Sequence, residues 1–60
     1  MCLATVFTAE DNSIILKNVS RIDVEGDKVI LRDIMGEERT IKGDILMVDL
    51  ANSIVKINCR

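Results

Sequence analysis

Apolar and polar residues alternate over most of the chain with a period of two, which is typical of β-strands. The clearest segment is 19–25, in which Ile22 and Val24 point one way and the charged residues beside them point the other. Ile and Val together outnumber Leu by three to one, a bias that favours strands over helices. The pattern predicts six or seven short strands, over residues 2–8, 14–17, 19–25, 28–34, 38–42, 45–50 and 54–58.

Short polar segments between these strands predict tight chain reversals. Gly26-Asp27 suits a primed two-residue hairpin turn, because glycine occupies the first central position. Residues 35–37 are predicted as the next reversal, Gly43-Asp44 as a break, and Asn52-Ser53 as the link to the last strand. Local reversals indicate an antiparallel meander, and we expect a small all-β barrel of the SH3-like or Sm-like kind. An edge left open would pair with a second copy of the chain.

The length of the chain limits how it can be stabilised. Sixty residues make a single β domain, 1–60, and domains this small commonly need a disulfide, a metal or a partner chain. We expect neither a signal peptide nor a membrane span, since the apolar runs are only a few residues long. A cytoplasmic location would keep both cysteines reduced. Oligomerisation or a metal is therefore the expected support.

Charge and residue types argue against several functions. The chain carries 8 basic and 10 acidic residues, and Phe7 is its single aromatic residue, so nucleic acid is an unlikely ligand. There is no histidine, and the three glycines are isolated, which removes the usual general bases and phosphate-binding loops. We therefore expect a protein that is not an enzyme. The scattered carboxylates are interpreted as solvated strand and turn residues.

Cys2 is the one candidate metal ligand that the sequence offers. Removal of Met1 would give this residue a free α-amine beside its thiol, a compact chelator for a borderline-soft metal. Considered alone, Cys2 is better explained as the first residue of a buried strand, and Cys59 as an incidental thiol at a strand end. A two-fold dimer would supply two Cys2 thiolates and two terminal or backbone nitrogens. Such a tetragonal set suits Ni(II) or Cu(II) rather than zinc.

Three segments in order along the chain, the first of which begins Met1-Cys2, resemble the CooT family. Members of this family are small accessory proteins linked to carbon monoxide dehydrogenase maturation. The three segments are residues 1–6, 19–37 and 45–50, so the resemblance covers essentially the whole chain. It implies a homodimeric SH3-like or Sm-like β-protein that binds Ni(II), with Cys2 as the key ligand. The family has also been labelled a predicted RNA-binding group. Cys59 is not part of the family pattern.

The sequence thus predicts a Ni(II)-binding accessory protein, a metallochaperone that stores or delivers nickel for a metalloenzyme, with the metal at a dimer interface through Cys2. Two alternatives remain open at this point. One is an Sm-like RNA-binding module, which requires a basic groove assembled on folding. The other is a structural protein that recruits a partner through a sheet edge or an apolar patch.

Overall fold

Five strands form a closed barrel in the computed structural model, which describes residues 3–59. Strands that are consecutive in the chain pair antiparallel, while β1 and β5 close the ring as a parallel pair. The predicted small all-β barrel is confirmed, and the parallel closure is the one departure from a pure meander. The strands are β1 Ala4–Thr8, β2 Ile14–Glu25, β3 Lys28–Asp33, β4 Glu38–Asp49 and β5 Ile54–Cys59.

The structure has fewer strands than predicted because two pairs of predicted strands are continuous. Residues 14–17 and 19–25 join in β2, where Asn18 adopts a positive φ of 57° and the register with β3 shifts between Val19 and Arg21. Such an irregularity bends a strand without ending it. The first half of β2 therefore pairs with β1 and its second half with β3.

Gly43 lies inside β4, so the break predicted at Gly43-Asp44 is wrong. The residue is buried and pairs with Cys59 of β5. A Cβ atom at this position would overlap the backbone carbonyl oxygen of Asn58. Glycine is needed here for close approach of two backbones rather than for a turn.

The core consists of inward-pointing aliphatic side chains from β1, β2, β3 and β5. Each of them is at most 3% exposed, and no polar or charged side chain is buried among residues 3–59. The Gly26-Asp27 hairpin is confirmed, since Glu25 pairs with Lys28 and Gly26 has a φ of 59°. The core residues are Val6, Val19, Val29, Leu31, Val55 and Ile57.

Candidate functional site around the start of β1

Cys2, the predicted metal ligand, lies outside the described residues. It is joined through Leu3 to Ala4, the first residue of β1. Any ligand set that includes Cys2 must therefore assemble within reach of Ala4, and two residues span at most about 7 Å. The surroundings of Ala4 are accordingly the part of the structure that bears on the predicted site.

Two turns flank the start of β1 on opposite sides. On one side, the amide of Thr5 donates a hydrogen bond of 2.9 Å to the carbonyl oxygen of Ser53, at the end of the β4–β5 turn (residues 50–53). On the other side, Ala4 pairs with Val19 of β2, and Val19 in turn pairs with Asp33 at the end of β3. The β3–β4 turn (residues 34–37) follows directly.

An apolar depression of about 210 Å³ adjoins the start of β1. Two of the large apolar side chains that line it are exposed, Val48 of β4 at 52% and Leu50 at 79%. Exposed apolar groups gathered in one place are typical of surfaces that contact another protein. The lining residues are Ala4, Val48, Asp49, Leu50, Ser53, Ile54 and Val55.

Asp49 is the single charged residue among those that line the depression. Its carboxylate accepts hydrogen bonds from the backbone amide of Asn52, at 3.2 Å, and from Asn52 Nδ2, at 2.9 Å. The Asn52 side chain, and then its backbone amide, lower the pKa of Asp49, because both stabilise the ionised form. Asp49 therefore stays negative in mildly acidic solution and fixes the β4–β5 turn.

The described part of the chain does not build a metal centre by itself. Among residues 3–59, no three His, Cys, Asp or Glu side chains lie close enough together to hold a metal ion. The sequence contains no histidine at all.

Cys59 lies far from the start of β1. It is the last residue of β5, is half-buried, and packs against the core. Ile54 of β5 pairs with Thr5, and Cys59 is five residues further along β5. The Cα atom of Cys59 is therefore roughly 17 Å along the strand from the Thr5–Ile54 pair.

Several arginines contact acceptors within the chain. Arg21 pairs with Asp23 at 2.9 Å, and Arg32 pairs with Glu38, which raises the pKa of the Arg32 guanidinium. Arg39 Nη1 donates a hydrogen bond of 3.2 Å to the carbonyl oxygen of Ile15. An RNA-binding groove needs basic groups that are free to meet phosphates. These pairings do not favour the Sm-like alternative.

The comparisons with known proteins agree with this fold. The crystal structure of a protein assigned as CooT from Carboxydothermus hydrogenoformans superposes with a TM-score of 0.89, at 20% sequence identity, over 98% of both chains. At that identity the likeness concerns the fold alone. A comparison with curated proteins finds no match, and no helix among residues 3–59 is long and apolar enough to cross a bilayer.

A family model identifies the family that the sequence resembles. The model described as CO dehydrogenase accessory protein CooT matches residues 1–58, a range that includes Cys2 and ends before Cys59. The matched range covers β1 to β4 in full and all of β5 except its last residue. The chain therefore belongs to the CooT family of CO dehydrogenase accessory proteins.

Proposed function

We propose that this protein is a cytoplasmic, non-enzymatic nickel carrier for CO dehydrogenase maturation. Two copies form a homodimer, and one Ni(II) ion is held at their interface by Cys2 from each chain. The observation that carries the proposal is the CooT family match across residues 1–58, which includes Cys2.

The chemistry of the Cys2 region suits nickel. Each chain would supply one thiolate and one nitrogen, from the terminal amine or a backbone amide, so that the dimer offers two sulfurs and two nitrogens. Ni(II) accepts such a square-planar set, whereas structural zinc prefers a tetrahedral one. Because the thiols must lose their protons to bind, nickel binding should release protons and weaken as the pH falls.

The apolar surface beside Ala4 supports a dimer at this position. A second copy that covers Val48 and Leu50 would remove two large aliphatic side chains from water. Full burial of one such side chain contributes about 1.5–3 kcal/mol. A two-fold axis that passes close to this surface would also bring the two chain starts together, as a shared Cys2 site requires.

Nickel titration with matched cysteine variants tests the proposal. Isothermal titration calorimetry and absorption spectroscopy would compare wild type, Cys2→Ser and Cys59→Ser, each with circular dichroism as a check on folding. We expect one Ni(II) per two chains and a thiolate-to-nickel charge-transfer band in wild type and Cys59→Ser, and neither in Cys2→Ser. If Cys2→Ser binds nickel as tightly as wild type, the proposal is wrong. Mass spectrometry of the same samples shows whether Met1 is removed.

A further inference from the structure

The β3–β4 turn exposes two large apolar side chains. Ile34 is 53% exposed and Met35 is 86% exposed, the highest value among the large apolar residues that the structure describes. Neither residue lines the depression beside Ala4. The proposed dimer surface therefore does not account for the exposure of these two side chains.

The backbone of this turn is held rigidly. Asp33 Oδ1 accepts hydrogen bonds from the amides of Met35 and Glu37, both at 2.9 Å. The amide of Gly36 donates a hydrogen bond of 3.1 Å to the carbonyl oxygen of Asp33. The amide of Ile34 donates one of 3.1 Å to the backbone carbonyl oxygen of Asn18. All four amides of residues 34–37 are thus bonded within the chain. A preorganised turn loses little conformational entropy when a partner binds it.

Negative charge surrounds the two apolar side chains. Residues 33–38 contain Asp33, Glu37 and Glu38 and no basic residue. Two arginines flank this segment: Arg32 pairs with Glu38, and Arg39 donates a hydrogen bond to the carbonyl oxygen of Ile15. Residues 32–39 together carry three acidic and two basic side chains, so acidic groups are in excess by one. A partner that complements this turn would present an apolar pocket with lysine or arginine side chains around its rim.

The turn also lies close to the proposed nickel site. Val19 pairs both with Ala4 at the start of β1 and with Asp33 at the start of the turn. Two strand spacings therefore separate Ala4 from Asp33, about 10 Å. A protein bound at the turn would lie beside the chain start that contains Cys2.

We propose that the β3–β4 turn is the docking site for the recipient enzyme, with Ile34 and Met35 entering a basic-rimmed apolar pocket on nickel-free CO dehydrogenase. This inference rests on the proposed function for the identity of the recipient. A contact limited to one turn buries less surface than a stable complex does, so the association is weak and transient. Repeated delivery requires a complex that dissociates readily.

Biolayer interferometry against immobilised nickel-free CO dehydrogenase tests the docking site. Ile34→Ser/Met35→Ser should weaken binding at least tenfold, because it removes both apolar groups and leaves the backbone hydrogen bonds in place. Glu37→Lys should weaken binding about threefold and reduce its salt dependence. The matched control is Val24→Ser, which alters a side chain that is 61% exposed at the opposite part of β2. It should bind as wild type does.

Three outcomes would overturn the docking site. These are absence of wild-type binding to CO dehydrogenase, equal binding by the double variant and the Val24→Ser control, and conversion of the double variant to a monomer in sedimentation velocity. The last result would identify a second copy as the occupant of the turn. Nickel binding is measured separately: if Cys2→Ser loses nickel yet binds the enzyme as wild type does, the docking site holds independently of the nickel site.

Discussion

Substitution of Gly43 by alanine tests the close backbone contact between β4 and β5. Gly43 lies in β4 opposite Cys59, and its amide donates a hydrogen bond of 2.9 Å to the carbonyl oxygen of Asp27. An alanine Cβ would overlap the Asn58 carbonyl oxygen and lie 3.2 Å from the Cα atom of Cys59. Both neighbours are backbone atoms, so no side-chain rotation relieves the overlap. β4 and β5 would have to move apart.

The expected loss of stability follows from two opposing contributions. Overpacking of this kind costs about 1–3 kcal/mol. Replacement of glycine by alanine also restricts the unfolded chain, which stabilises the folded state by about 0.4–1 kcal/mol. We therefore expect a net loss of roughly 0.5–2 kcal/mol. In a domain of this size that corresponds to a fall in Tm of roughly 2–16 °C.

Thermal and urea denaturation followed by far-UV circular dichroism would measure this loss, because the chain has neither Trp nor Tyr for fluorescence. Protein concentration must be held constant, since formation of the proposed dimer would add to the apparent stability. Lys42→Ala, at the exposed neighbouring position, is the matched control and should change stability by less than about 0.5 kcal/mol. A Gly43→Ala protein as stable as wild type would refute the overlap argument. Asn58→Ala should not rescue the variant, because the overlap involves the Asn58 backbone.

Two further predictions concern the surface beside the start of β1. If the proposed dimer forms, Leu50→Glu should convert it to a monomer in sedimentation velocity and abolish the proposed ratio of one Ni(II) to two chains. Val24→Glu, at an exposed position in β2, should do neither. Asp49 has a lowered pKa when folded, so its stabilising effect is complete above its unfolded pKa of about 4 and is lost as the pH falls through the folded value. Asp49→Asn should therefore show a smaller decrease in urea midpoint on acidification below about pH 4 than wild type. Equal decreases in both proteins would contradict the assigned hydrogen bonds.

The strand content was predictable from the sequence because alternation is a local signal. Alternating side chains reveal which residues share a face of a strand, and the inward positions Val29 and Leu31 follow this rule. Strand continuity was not predictable. Asn and Gly are common in turns, so Asn18 and Gly43 both resemble strand ends in the sequence. Each nevertheless lies within a continuous strand. Glycine marks a turn at Gly26 and a close backbone approach at Gly43, and only the tertiary pairing of β4 with β5 distinguishes the two.

The surroundings of the candidate site were even less accessible to sequence reasoning. Cys2 was identified as a candidate because it is one of two cysteines in a chain without histidine. The depression, however, combines Ala4 with residues 48–55, more than forty positions away. It forms because β1 pairs in parallel with β5, and no local pattern indicates that pairing. The rigidity of the β3–β4 turn likewise depends on the fold, since Ile34 is bonded to Asn18 of β2.

The close contact of Gly43 with Cys59 and the proposed metal site near the start of β1 lie in different parts of the molecule. Gly43 pairs with Cys59, which is roughly 17 Å from the level of Thr5. Mutations more than about 10 Å apart that share no partner usually have additive effects. A Gly43→Ala protein held well below its Tm should therefore bind nickel with wild-type affinity, although its fold is weakened. Loss of nickel binding in that variant, with its circular dichroism unchanged, would show that closure of β4 on β5 determines the geometry at the start of β1.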